Sequence, residues 1–263
     1  MELLQIEEPG LRRDEFEDAG LALGLELTGT GLRLAASVGG NAELIRDAGG
    51  GLDFLPAIAG YDEAGSPAAG QLGLADASAI GLEALAVPDA VDERGATLAD
   101  RVALLVETAR RLLLRRIGRP IAGAVVVVPL ESTAGLRLAL MQAVEAGGIP
   151  VLRLIESSVA LAMSGGLEGE GAYLHLAAVP GGLALARLER ADGALRLVGG
   201  TLARHVDDLA GLIAAEGVVS GLIAPGIEAA ARVAAETGVA LLDGFDGAER
   251  TVIGAALCAE ALR

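Results

Sequence analysis

Apolar and polar positions set out the elements before composition is considered. Two runs near the start, "LALGLEL" (21–27) and "LRLAASV" (32–38), are joined by "TGTG" and predict the two strands of a hairpin. A third short strand is predicted in "AELIRDA" (42–48). The next stretch, rich in Gly, Ala and Asp, carries only weak strand signals. Residues 97–116, "TLADRVALLVETARRLLLRR", place apolar side chains at helical spacing. "TLAD" resembles a capping box with Asp in place of Glu, the last turn is cationic, and Gly118 stops the helix. "AGAVVVVPL" (122–130) is a continuous β-branched run, expected of a central strand buried on both faces. A helix capped by Ser or Thr (132–148), a strand (151–155) and a helix (157–166) complete an α/β alternation.

The pattern then starts again. "AYLHLAAV", "GLALARLER" and "LRLVGGTLA" predict three antiparallel strands, with "RADGA" as a turn. A helix (205–216), a strand (218–224), a helix (226–237), a strand (238–243) and a final helix (248–262) follow. Each half opens with three strands and continues by alternation, a repeat of organisation and not of sequence. The chain therefore divides into a charged N-terminal arm (1–20), a first lobe (21–168) with a reduced insert at about 52–96, and a truncated second lobe (169–263).

Composition narrows the chemistry. The chain has 263 residues, 52% hydrophobic but only 2% aromatic, so its core is built from Ala, Leu, Val and Ile. A net charge of −16 argues against nucleic acid and against anionic membrane surfaces. Every cationic side chain apart from the two His is Arg; without Lys, lysine-dependent chemistry is absent. Cys258 sits in the helical run "AALCAEAL" and is expected to be a buried structural thiol. The N-terminus lacks a secretory pattern and the longest apolar run is too short to span a bilayer, so a cytoplasmic protein is expected. No set of His, Cys or carboxylates has metal-ligand spacing.

The order of elements and several local runs resemble the DnaK-type heat-shock chaperones, whose ATPase domain has the actin and sugar-kinase fold. The match is strongest over "AVVVVPLESTAGLRLALMQAVEAGGIPVLRLIESSVALAMSGGL", where the family reads a strand ending in Val-Pro, a helix, and then a Val-Leu-Arg strand. "ERTVIGAALCAEAL" is similar to the family's closing helix, and "MELLQIEEPG" to the start of its iron–sulphur assembly branch, the heat-shock cognate A type. The resemblance implies an α/β, two-lobed actin-like fold. Each lobe would be a mixed sheet with flanking helices, and ATP phosphates would sit between two hairpin loops.

Departures from the family carry as much weight. Its first phosphate loop, Gly-Ile-Asp-Leu-Gly-Thr-Thr-Asn, corresponds to "GLELTGTG" (24–31). Glu26 stands at the magnesium-positioning Asp, Thr28 at a Gly and Gly29 at a Thr, while Thr30 is retained. The run reads first as a tight hairpin turn inherited from the fold, with Gly29 and Gly31 letting the chain reverse. The second loop, Asp-Leu-Gly-Gly-Gly-Thr, corresponds to "HLAAVPGG" (175–182): His175 replaces the acid, and Pro180 removes an amide donor. Ser157 stands at the catalytic-site Glu, with Glu156 one position early. Gly226 survives from the adenosine loop and Gly254 from the closing-helix motif. The adenine-clamping subdomain has no counterpart.

The nucleotide-site candidates are therefore Glu26, Thr28, Gly29, Thr30, Gly226 and Gly254, with no catalytic or metal residue assigned. Arg153, in "VLRLI", corresponds to a family Arg that meets the J-domain co-chaperone; pairing within its own lobe is an equal alternative. The expectation is a degenerate pseudo-ATPase with no cofactor. It would bind a protein partner, either a J-domain co-chaperone or an iron–sulphur assembly factor. Two other readings stay open: an ATPase binding ATP and magnesium through unusual loops, and an actin-like assembly protein.

Overall fold

A computed structural model describes residues 20–46, 51–81, 91, 95–130, 132–167, 169–179 and 181–263. Residues 1–19 of the expected arm, and Pro180, lie outside the described residues.

Two mixed sheets organise the chain. The first contains β1 (Leu21–Leu27), β2 (Gly31–Val38), β3 (Asn41–Leu44), a two-residue β4 (Leu55–Pro56), β8 (Ile121–Val128) and β9 (Val151–Glu156). Its order is β3-β2-β1-β8-β9, with β4 paired to β2. The β1–β2–β3 meander is antiparallel, whereas β8 runs parallel to both β1 and β9. The second contains β10 (Gly171–Val179), β11 (Gly182–Ala191), β12 (Ala194–Ala203) and β13 (Gly221–Ile223), ordered β12-β11-β10-β13. Again the meander is antiparallel and the added strand parallel to its first member. The strand expected at 238–243 is reduced to a parallel bridge from Leu241 to Leu222. It is held by two backbone hydrogen bonds of 2.8 Å, from the Leu222 amide to the Ala240 carbonyl and from the Leu242 amide to the Leu222 carbonyl, and it follows Gly238, left-handed at φ 70°, which ends the preceding helix. With that bridge the two sheets share one strand order. A third, three-stranded antiparallel sheet, β5 (Ile58–Tyr61), β6 (Pro67–Ala69) and β7 (Ala75–Ala79), occupies the insert.

Six α-helices cover these sheets among the described residues: α1 (Leu98–Ile117), α2 (Ala134–Ala146), α3 (Ser157–Ser164), α4 (Leu209–Ala215), α5 (Ala230–Thr237) and α6 (Arg250–Ala261). Helix α1 starts on a reciprocal capping box. The Thr97 hydroxyl accepts from the Asp100 amide at 3.1 Å, and the Asp100 carboxylate accepts from the Thr97 amide at 2.8 Å. It stops at Gly118, left-handed at φ 70°. Its buried residues, Val102, Leu105, Val106, Ala109 and Leu113, keep the spacing of one helix face. Thr133 caps α2, as expected. Two helices are shorter than their apolar patterns. The one expected at 205–216 opens with a 3-10 turn, and α5 begins only at Ala230, after Pro225 and the left-handed Gly226.

Alternation along β8 explains the layering. Ala124, Val126 and Val128 enter a core with α1 and α2 on one face of the first sheet. Val125 and Val127 enter a different core on the other face, with Val159, Leu161, Ala255 and Cys258 of α3 and α6. That second core also takes Tyr173, Leu188 and Ile223 of the second sheet. Helices α3 and α6 are thus sandwiched between the sheets. The far face of the second sheet packs on α4 and α5 through Leu174, Leu209, Ile213 and Val233. Each fully buried Leu or Val contributes on the order of 1.5–3 kcal/mol. No described helix is long and apolar enough to cross a membrane.

Candidate functional site

Strand β1 reads Leu-Ala-Leu-Gly-Leu-Glu-Leu, and its period of two sorts large from small. Leu21, Leu23, Leu25 and Leu27 fill the core shared with α1 and α2. The other face, Ala22, Gly24 and Glu26, meets α6. A Cβ on Gly24 would stand 2.2 Å from the Val252 carbonyl oxygen and 2.6 Å from the Ala256 amide nitrogen. The first glycine of "GLELTGTG", Gly24, therefore serves the approach of a helix backbone.

Glu26 ends that face. Its Oε1 accepts a hydrogen bond of 2.7 Å from the Thr251 hydroxyl in the first turn of α6. Its Oε2 is buried, makes no hydrogen bond, and faces the Arg33 guanidinium at 3.6 Å. Burial pushes the carboxyl above its ordinary range, against the Thr251 hydrogen bond and the Arg33 charge, which pull it down. Arg33 also donates through Nε to Asp53 at 2.9 Å and through Nη1 to the Ala248 carbonyl at 2.7 Å. The Thr30 hydroxyl donates to the other Asp53 oxygen at 2.7 Å. These contacts tie the hairpin to the 51–56 stretch and to the entrance of α6.

The β1–β2 turn closes on itself. The Thr28 amide donates to the Gly31 carbonyl at 2.8 Å. The Thr28 hydroxyl oxygen accepts from the Thr30 amide at 3.2 Å and the Gly31 amide at 3.0 Å. A side-chain oxygen thus takes the place of a backbone acceptor, as in turns built on Ser or Thr. Neither Gly29 nor Gly31 has a positive φ, so the reversal does not depend on glycine's left-handed freedom. Gly31 is required for a different reason: its Cβ would lie 2.4 Å from the Asp53 Cβ. Gly29 is exposed and meets nothing within 4 Å.

In the second sheet, Val179 pairs with Gly182 at the end of the β10–β11 hairpin. His175 points away from solvent, 4% exposed, with Nδ1 2.8 Å from the hydroxyl of Ser158, itself fully buried in α3. Burial lowers its pKa from 6.5 to about 4, so the imidazole is neutral at pH 7. Glu156, at the end of β9, accepts a 2.7 Å ion-paired hydrogen bond from Arg137 of α2. Just beyond β8, Leu130 reaches toward the second sheet: a Cβ on Gly200 would lie 3.6 Å from its methyl.

The structure joins Glu26, Thr28, Gly29 and Thr30 in one hairpin and scatters the other candidates. Gly254 belongs to α6 but faces α3, where a Cβ would stand 1.7 Å from the Ala160 carbonyl oxygen. Gly226 is exposed beyond β13 of the second sheet, left-handed at φ 69° with open space around it. Arg153 is exposed on β9, the edge strand of the first sheet. It lies close enough to Cys258 to offset, in part, the rise that burial imposes on the thiol. Sequence reading missed Arg33, Asp53, Thr251 and Ser158. Arg33 was accessible from hairpin register alone, since it sits directly across from Glu26. The others come from remote segments with no local signal. The chain matches no protein-family model and no curated protein sequence.

Proposed function

We propose that the chain is a non-hydrolysing relative of the two-lobed, actin-like chaperone ATPase fold, working as a protein-binding scaffold. The shared strand order of the two sheets and the helix pair between them support the fold reading. One observation carries the functional reading: the amides of Thr30 and Gly31 are consumed by the Thr28 hydroxyl. A phosphate-binding turn depends on unpaired N–H groups converging on the anion. The neighbouring Glu26 carboxylate is buried, bonded to Thr251 and held above its usual pKa, a poor environment for a hydrated magnesium ion. His175, in place of an acid, is buried and hydrogen-bonded to Ser158.

The partner on this reading is a protein, a J-domain co-chaperone or an iron–sulphur assembly factor, in the cytoplasm. Arg153 is exposed on an edge strand and available to meet a carboxylate of that partner. Phosphate release from ATP with magnesium should match the buffer blank, and Arg153→Ala should lose capture of a J-domain protein retained by the parent chain. Turnover above the blank overturns the non-hydrolysing assignment. Equal capture by the variant removes Arg153 from the partner surface.

A further inference from the structure

The longest helix carries a charge pattern that the interlobe contacts do not use. Between residues 108 and 130 the chain has five Arg and no Asp or Glu, on a molecule of net charge −16. Beside the C-terminal half of α1 lies a groove of about 930 Å³. Among the described residues its apolar lining includes Phe54, Leu55, Pro56, Leu72 and Leu112, and Arg115 and Arg116 stand at its rim. A second recess, about 360 Å³ and sharing Gln71 and Arg115 with the first, adds Arg111. Leu72 is 80% exposed. Arg115 and Arg116 are also exposed; Arg116 reaches the Arg46 carbonyl, and Arg115 has no carboxylate partner among the described residues.

Two carboxylates border the recesses among the described residues, Asp53 and Asp62. Asp53 is held by Arg33 and Thr30, and Asp62 accepts from the Ala64 and Ser66 amides. Arg111 is paired with Glu107 at 3.7 Å, whereas Arg115 and Arg116, which line the groove, have no carboxylate partner among the described residues. Guanidinium forks bind carboxylates in two-pronged fashion, and an apolar floor beside them takes aliphatic side chains. A long polyanion is disfavoured by the field of the remaining charge.

From this complementarity we infer that the α1 groove binds an acidic peptide segment of a partner protein, with apolar anchors between its carboxylates. The groove lies outside the contacts between the two sheets, so it stands whether or not the chaperone reading holds.

Fluorescence anisotropy of a short fluorescein-labelled peptide alternating Glu and Leu tests this on the full chain. Saturable binding is expected, weakening with added salt as the exposed charges are screened. Arg115→Glu with Arg116→Glu should weaken it about tenfold or more. Leu72→Ser should weaken it about threefold with an unchanged melting temperature, because that side chain is exposed. Equal affinity for a peptide with Gln in place of Glu, or no loss in the double Arg variant, overturns the assignment. Residues 1–19 of the chain are themselves rich in Asp and Glu. Peptide binding that emerges only when those acids are replaced by Asn and Gln in the full chain gives the groove to that segment and overturns the partner proposal.

Discussion

Gly254 of α6 lies against Ala160 of α3 so closely that a methyl group on it would stand 1.7 Å from the Ala160 carbonyl oxygen and 3.2 Å from the Ser164 amide nitrogen. Both obstacles are helix backbone, which cannot swing aside as a side chain can. On its other side α6 presents Val252 and Ala256 to Gly24 of β1. The helix is wedged between a strand and a second helix by two glycines.

Gly254→Ala is therefore expected to destabilise the chain by about 3 kcal/mol or more, despite alanine's higher helix propensity. Urea unfolding checks it. A neutral or stabilising effect would show that the two helices do not cross at this distance.

Glu26→Gln should raise stability at pH 7. In the fold, burial lifts the Glu26 pKa above 4.5, so the neutral form is favoured. Its stabilising contribution is full below the unfolded pKa and is lost as pH rises through the folded value. Gln stays neutral and keeps an oxygen for Thr251, while Arg33 retains Asp53 and the Ala248 carbonyl. Melting temperatures at pH 7 and pH 4 should show the advantage of Gln shrinking in acid. A variant less stable at pH 7 would mean that the Arg33 attraction outweighs burial.

His175 gives the opposite sign. Its folded pKa, about 4, lies below the ordinary imidazole value of 6.5, so the unfolded chain binds the proton first. Stability present above pH 6.5 is lost as pH falls toward 4, by about 2 kcal/mol between pH 7 and pH 5. His175→Gln, which can still bond the Ser158 hydroxyl, should flatten that slope. An unchanged slope would place the titration elsewhere.

Thr28→Val removes the hydroxyl and keeps the shape. The Thr30 and Gly31 amides then lose their acceptor, and about 1 kcal/mol of stability should go with it. Hydrogen exchange at these two amides should accelerate relative to the parent. Equal protection would mean that another group already accepts from them.

Much of this architecture is legible one segment at a time. The Thr97–Asp100 box and Gly118 bound α1, and the β-branched run of β8 is buried on both faces as its composition suggests. What the sequence does not display is where its small residues make contact. Gly31 reads as a turn residue and Gly254 as part of a closing-helix motif, and in the fold each meets a remote segment, as Gly24 does. Such contacts depend on how sheets and helices stack, and no local period records them. The strand expected at 238–243 is a single bridge for a related reason: its apolar run is visible locally, but among the described residues its pairing is confined to Leu222.

Calorimetric titration of the full chain with ATP and magnesium tests the closed Thr28–Gly31 turn most directly. No saturable heat is expected, because the Thr30 and Gly31 amides are bonded to Thr28 and the Glu26 carboxylate is buried. Micromolar binding that Thr28→Val alters would contradict it, showing that the turn opens to hold phosphate.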